Sequence, residues 1–318
     1  MYGKFRFDYQ IVFLKWALAL PNQKPEWLIG VRGGAKQKLM AFISAIPVTM
    51  HVNKKKIEMA EVNFLCVHKK LRSLRLAPVL IQEVTRRVNL HSIFQAIYTS
   101  GTIIPTPFGR APYHHRNLNP KKLVEVEFSF KPADTPMSRF IKLHRLPDEP
   151  QLPGIRPMVE SDIKAVTEAL NGHLIANYKV HITYSEEEVR HFLLPQEGVV
   201  YSYLIKNKEG RVTDFASFYG LPSSVLNHPE HNTLFAAYGY YNFTEDVSNT
   251  QRFSELIKDC LILAKKLKFD VFNVTEVMQF KHALEDNMFK AGDGNLAHYL
   301  YNFRINTIDP DEIGIILV

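Results

Sequence analysis

Along residues 26–130 the apolar positions alternate and cluster in a way that predicts strands around one strong helix. Residues 27–31, 39–46 and 60–67 are rich in β-branched and aromatic side chains and are broken by Gly, Asn and Lys. Pro78 then opens a helix whose apolar face carries Leu80, Ile81, Val84 and Val88, with proline placed where its missing N–H is tolerated. A strand over residues 94–99 follows. Upstream, Phe13, Leu14, Ala17 and Leu18 recur at helical spacing within the apolar run 11–20. Asp8 and Lys15 interrupt a signal-peptide reading of that run, so a short amphipathic helix is expected.

From residue 146 to 157 the chain carries Pro147, Pro150, Pro153 and Pro157, a stiff connection that places a domain boundary there, between 1–150 and 151–318. Ile155-Arg156-Pro157-Met158 followed by Asp162, Ile163 and Val166 predicts a strand running into a helix. Ser185 with Glu188 reads as a capping box. Lys208-Glu209-Gly210 reads as a hairpin turn between strands 199–205 and 212–219. A helix at 253–267, a strand at 269–274 and an apolar terminal strand at 313–318 complete the second half. Both halves mix helices and strands, so the class is α+β.

The 318 residues are 46% hydrophobic and 22% charged, with no low-complexity tract, which excludes disordered and fibrous classes. The net charge of +7 suits anionic partners such as phosphate, anionic lipid or nucleic acid without choosing among them. The two cysteines, Cys66 and Cys260, lie in apolar stretches, which points to a reducing compartment, hence a cytoplasmic location. No segment approaches the roughly 18 uninterrupted apolar residues of a membrane span.

The most informative stretch runs from Glu61 to Pro78. A strand delivers the chain into a loop holding Lys69, Lys70, Arg72, Ser73 and Arg75, and the loop ends at a helix N-terminus. Free N–H groups and the positive end of the helix dipole there favour a phosphate. The residues alone fit a solvated basic turn equally well. Cys66 and His68 share a strand face, where a buried structural thiol is the commoner outcome than a nucleophile. His114-His115 and His228-Pro229-Glu230-His231 lack a third ligand at metal spacing, so no metal is expected. The basic and aromatic residues from Tyr113 to Arg116 match no nucleic-acid motif, and no nucleic-acid partner is expected.

The loop partly resembles the pyrophosphate loop of the GNAT superfamily of acyl-CoA N-acyltransferases, with Arg72 and Ala77 in place and Arg75 where glycine is usual. More specifically, Glu61-Val62-Asn63-Phe64-Leu65-Cys66-Val67-His68-Lys69 resembles the signature of the N-myristoyltransferase family. The likeness continues through Phe5-Arg6-Phe7-Asp8-Tyr9, Tyr98-Thr99, Arg116-Asn117-Leu118-Asn119-Pro120, Asn227-His228-Pro229, Phe269-Asp270-Val271-Phe272-Asn273 and Gly292-Asp293-Gly294-Asn295-Leu296. It implies two GNAT-like halves related by a pseudo-twofold axis. It also implies transfer of a myristoyl group from myristoyl-CoA, a co-substrate rather than a bound cofactor, to the N-terminal glycine of nascent proteins. A monomer, in occasional contact with ribosomes or a membrane surface, is expected.

By the same resemblance, the backbone N–H groups of Phe64 and Leu65 form an oxyanion hole, and Asn63 and Thr99 help place the amine. Leu65, Cys66 and Val67 contact CoA, while Arg72, Ser73, Leu74, Arg75, Leu76 and Ala77 hold its phosphates, with a basic residue commoner in the family at Leu74. The base is the carboxylate of the C-terminal Val318. Reference pKa values near 8 and 3.5 make outright proton transfer from an ammonium to such a carboxylate cost about 6 kcal/mol in water, a gap that burial narrows. Tyr113, His115, Phe128, Ser223, Tyr238, Gly294 and Leu296 line a peptide groove, and Asp293 pairs with a basic residue of the substrate.

Two departures qualify this. Lys290 stands where the family has glycine and Met288 where it has lysine, so a positive φ at Lys290 would strain the loop. Taken alone, Gly292-Asp293-Gly294 is an ordinary turn. The chain also begins where family members are already well under way, so the first half is expected to be incomplete at its start. The alternative function is a non-catalytic paralogue that binds glycine-initiated peptides without acyl transfer.

Overall fold

A computed structural model describes residues 4–318; the first three residues of the expected 1–150 half lie outside the described residues. In chain order the strands of the first half are β1 (Phe5–Phe7), β2 (Leu28–Gly33), β3 (Lys38–Val52), β4 (Lys55–Val67), β5 (Ala96–Ser100) and β6 (Gly109–Asn117). Its helices are α1 (Ile11–Leu18), α2 (Leu76–Asn89), α3 (Pro120–Glu125) and α4 (Met137–Leu143). The second half holds β7 (Arg156–Pro157), α5 (Ile163–Asn177), β8 (Val180–Ile182), α6 (Glu186–Leu193), β9 (Val200–Lys206) and β10 (Val212–Gly220). It continues with β11 (Ser223–Val225), β12 (Thr233–Leu234), β13 (Ala236–Thr244), α7 (Thr250–Lys266), β14 (Val271–Thr275), β15 (Lys290–Tyr301) and β16 (Ile313–Gly314). The class is mixed α and β, as expected.

One 13-stranded sheet runs β16-β8-β3-β4-β5-β15-β6-β14-β13-β10-β9-β7, with β2 paired on β3; β1, β11 and β12 form a small second sheet. The same unit occurs twice: β4, α2 and β5 form a strand, a crossover helix and a parallel strand, and so do β13, α7 and β14. Between the halves the sheet is continuous, because β15 from the second half is hydrogen-bonded to both β5 and β6 of the first.

Each helix forms because one stripe of it can be buried. On α2, Leu80, Val84 and Val88 pack on Trp27, Ile29, Ile43 and Ala60. Burying each such side chain contributes about 1.5–3 kcal/mol, so Val84→Asp would detach the helix. On α7, Phe253, Leu256, Ile257, Cys260 and Leu261 cover Phe218, Phe272 and Val274. The largest cluster lies on the opposite face, where Phe13 and Trp16 of α1 meet Val166 and Leu170 of α5 and the C-terminal Ile313, Ile315 and Leu317.

Several expectations shift. The helix after the basic loop starts at Leu76, two residues before Pro78, and Ile81 is 43% exposed rather than buried. The predicted 39–46 strand continues to Val52 and returns through Asn53 and Lys54, whose φ values of 47° and 69° make the tight turn that strand twist favours. The predicted terminal strand is short: only Ile313–Gly314 pairs, parallel to β8, and Ile315 to Val318 continue as irregular chain threaded into the core. Strands β6, β13 and β15 are not evident from periodicity, because they sit mid-sheet, and β15 opens on Lys, Gly and Asp.

Candidate active site

The centre of the site is an irregularity in β4. Cys66 pairs with Phe42 and Asn63 with Ser44, so three steps on β4 face two on β3, leaving Phe64 and Leu65 without partners. This is a β-bulge, and Phe64 takes the left-handed conformation within it, at φ 53°. An aromatic residue there costs of order 1–3 kcal/mol unless its surroundings enforce it. They do so here: the Phe64 ring meets the edge of Tyr9 at 5.3 Å, and the Ser44 hydroxyl donates to the Asn63 carbonyl at 2.9 Å. On its other side β4 pairs with β5 only at Ala60 and Glu61, so the two parallel strands part before the bulge. Phe64 and Leu65 therefore have no register partner on either neighbouring strand. Thr99 is on β5, paired with His298 of β15.

Below the bulge the chain enters a short 3-10 turn, Lys69–Leu74, and Arg75 leads into α2. His68 accepts from the Lys70 N–H at 3.3 Å and Arg72 Nε donates to the Val67 carbonyl at 3.4 Å, which fixes the turn. Arg75 adopts φ 54°, so the position where the GNAT pattern has glycine does require a left-handed backbone. Among the described residues no carboxylate lies within 4.0 Å of Lys69, Lys70, Arg72 or Arg75. Exposed cations without a carboxylate partner, in a turn that leads into a helix N-terminus, have the chemistry that suits an anion. Leu65 and Cys66 are exposed at its upper end, and partial burial pushes the Cys66 thiol up, away from thiolate character.

Two small cavities, each of about 20 Å³, flank the terminal segment. One is lined by Glu61, Tyr184, Tyr240, Ile316 and Val318, among others. The other is lined by Tyr113, Tyr238, Leu296, Asn273, Ile315 and Leu317. The structure therefore brings Tyr113, Tyr238 and Leu296 together against the chain end. The Tyr113 phenol is pushed up to about 12 by burial, and Tyr238 stacks on Tyr219 at 5.3 Å. His115 Nδ1 bonds Asn273 Oδ1 at 2.6 Å, and its ring meets Phe128 at 5.3 Å. Burial lowers the His115 pKa, against the Asn273 bond that raises it, which favours the neutral ring. Ser223 lies farther along, buried in the small sheet opposite Phe7.

Gly292, Asp293 and Gly294 are not a free turn. They belong to β15, at a register shift between Ala291 and Asn295. A Cβ on Gly292 would stand 2.2 Å from His115 Nε2, so glycine is there to let the strand approach that ring. Asp293 is exposed beside it and acts electrostatically on His115. The strained position in this stretch is Met288, at φ 57°; Lys290 has no positive φ and pairs with His115 in ordinary register. The condition for strain at Lys290 is therefore not met. The sequence assigns no role to Tyr9 or Glu61, although both lie within the family-like motifs; a buried acid in a strand looks like a surface residue until its neighbours are known. Among the described residues no three His, Cys, Asp or Glu side chains gather as a metal site.

Two strand–helix–parallel-strand units, with a bulged strand leading to a helix-capped basic loop, define the fold class of the GNAT-type N-acyltransferases. A GCN5-related N-acetyltransferase from Anabaena variabilis shares the fold at TM-score 0.51, with 10% identity over 91% of this chain and 64% of its own. The profile described as Myristoyl-CoA:protein N-myristoyltransferase, N-terminal domain, matches residues 2–111, and that of the C-terminal domain residues 125–316. The chain belongs to the N-myristoyltransferase family.

Among its relatives, glycylpeptide N-tetradecanoyltransferase 2 of Danio rerio is 49% identical over 313 residues, 98% of this chain and 63% of the relative. A probable glycylpeptide N-tetradecanoyltransferase of Caenorhabditis elegans is 48% identical, over 98% of this chain and 69% of its own length. The chain thus spans about two thirds of these relatives. Saccharomyces cerevisiae N-myristoyltransferase with bound myristoyl-CoA superposes with TM-score 0.95 at 37% identity, over 100% of this chain and 79% of that one. Among the described residues no helix is long and apolar enough to cross a membrane.

Proposed function

We propose that this chain transfers a myristoyl group from myristoyl-CoA to the N-terminal glycine amine of nascent proteins by direct addition and elimination. The observation that carries this reading is the bulge at Phe64 and Leu65, on the strand whose Glu61 lines a small cavity together with Ile316 and Val318 of the C-terminal segment. In this reading their N–H groups receive the charge that gathers on the thioester oxygen as the amine attacks, a contribution of several kcal/mol from donors already in place. The Val318 carboxylate orients the amine and takes its proton, with Asn63 and Thr99 completing the pocket. Leu65, Cys66 and Val67 contact CoA, and Arg72 to Ala77 hold its phosphates. Tyr113, His115, Phe128, Ser223, Tyr238, Gly294 and Leu296 form the peptide groove, with Asp293 for a downstream basic side chain. Residues 1–150 then serve acyl-CoA and lend Tyr113, His115 and Phe128 to the groove, 151–318 supply the rest of the peptide site and the terminal carboxylate, and the setting is the cytoplasm.

A second reading, peptide binding without transfer, is favoured by the exposed Leu65, Leu74 and Val79 around the loop and by the small size of the cavities along the terminal segment. Incubation with myristoyl-CoA and matched glycine- and alanine-initiated peptides separates the two. A mass gain of one myristoyl group on the glycine peptide alone is expected; no gain on either supports peptide binding only.

A further inference from the structure

Glu61 lies on β4 three residues before the bulge, with a residue exposure of 5%. Its Oε1 accepts from Asn63 Nδ2 at 2.5 Å, and it lines the same small cavity as Val318. That cavity, at about 20 Å³, is the size of one water. The groups that face it are few. Tyr184 donates its hydroxyl to Tyr241 at 2.8 Å, and the Tyr241 oxygen accepts from the Ile316 N–H at 3.4 Å, which ties the terminal segment to the same polar cluster. Tyr240 lines the cavity as well, and Glu188 on α6 is engaged by the Ser185 N–H and hydroxyl at 2.8 and 2.9 Å. Among the described residues no cation lies within 4.0 Å of Glu61. A buried carboxyl with one amide partner and no counter-ion is costly to ionise, and burial pushes it up to about 7, against the Asn63 bond. For packing alone, glutamine would serve better.

We propose that Glu61 is the second proton acceptor of acyl transfer, taking from the Val318 carboxyl, across one bridging water, the first proton lost by the substrate ammonium. The inference rests on the transfer reading above. Its basis is proton arithmetic. The glycine ammonium carries three N–H protons and the amide product one, so two must leave, and a single carboxylate holds one at a time. The first passes to Val318 and on to Glu61, freeing the nitrogen lone pair. That pair forms the N–C bond while the carbonyl π pair moves onto oxygen at the bulge. On collapse the C=O re-forms and the C–S bond breaks. The second proton leaves nitrogen for the re-ionised Val318 carboxylate and goes to the CoA sulfur. Glu61 then releases its proton to solvent, as the one net proton of the reaction. Asn63 positions the Glu61 carboxyl throughout.

The test compares the whole chain with Glu61→Gln, which keeps the volume and an acceptor for Asn63. Single-turnover transfer at pH 7 is expected to fall about 100-fold, the lower range for a proton-transfer group, while the Kd for myristoyl-CoA stays within about twofold. The acid limb of the wild-type rate, near pH 7, should be absent in the variant. An unchanged rate with an unchanged limb overturns the proton role alone. No transfer by the wild-type chain overturns the transfer reading, and the proton role with it. Infrared spectra of the wild-type protein without co-substrate give a readout that does not depend on the variant folding. The carbonyl band of a protonated buried carboxyl should disappear as pH rises through about 7; a protein with no such band near that pH overturns the assignment.

Discussion

Glu61→Gln also makes a stability prediction that is independent of activity. In the folded chain Glu61 holds its proton up to about pH 7, whereas the unfolded chain releases it near 4.5. Below 4.5 both states carry the proton and the residue adds no pH dependence. Between 4.5 and 7 only the unfolded chain ionises it, so its titration favours unfolding and stability falls as pH rises. Above 7 both states are ionised and the loss levels off. At about 1.4 kcal/mol per pH unit the plateau is about 3 kcal/mol. Glutamine does not titrate, so the stability of Glu61→Gln relative to wild type should rise by about 3 kcal/mol between pH 4.5 and 8. Urea unfolding of both proteins at each pH measures it; other carboxylates titrate alike in the two and cancel. A difference that is the same at both pH values refutes the buried-acid account.

Three further outcomes follow from specific contacts. Gly292→Ala drives a methyl into His115 and should break its 2.6 Å bond to Asn273, raising the KM for a glycine-initiated peptide at least 10-fold with little change in myristoyl-CoA affinity, checked by steady-state kinetics and calorimetry. Asp162 is buried and accepts from Arg156 at 2.7 and 2.9 Å, from Lys206 at 2.6 Å and from the Val159 N–H at 3.0 Å, and these donors, Arg156 foremost, hold its carboxyl well below the usual range. Its contribution is present above the unfolded value near 3.8 and lost as pH falls through the folded one. Asp162→Ala should therefore cost about 3–5 kcal/mol at pH 7 and less at pH 3 by urea unfolding. Arg72→Ala with Arg75→Ala should weaken CoA binding and flatten its salt dependence, read by calorimetry at two ionic strengths; unchanged affinity would make the loop a solvated turn.

The parts of the fold legible in the sequence are those whose signal is local. Strand, basic loop and helix are contiguous from Lys55 to Asn89, so their succession can be read directly, as can the Ser185–Glu188 capping box and the hairpin closed by Gly210. Three things are not local. The bulge that frees Phe64 and Leu65 exists only against β3, and nothing in Asn-Phe-Leu-Cys marks a left-handed phenylalanine. His115 meets Asn273 because β6 pairs with β14, some 158 residues away in sequence. Gly292 resembles a turn residue because glycine serves turns and close approaches alike; only the neighbouring imidazole tells which. The family resemblance pointed to these residues without those contacts, since a long motif preserves what pairing builds. It left open whether Lys290 takes a positive φ; in this stretch Met288 does so and Lys290 does not.

The central claim, that this chain performs acyl transfer with its own terminal carboxylate, is tested most directly by pairing the chain with a form lacking Leu317 and Val318. Each is titrated with myristoyl-CoA by calorimetry, then mixed with a glycine-initiated peptide, and the peptide mass is followed in a single turnover. The account predicts similar myristoyl-CoA binding by both, and a gain of one myristoyl group with the intact chain only. Equal transfer by the two forms, or folded intact protein that binds myristoyl-CoA and leaves the peptide unmodified, would contradict it.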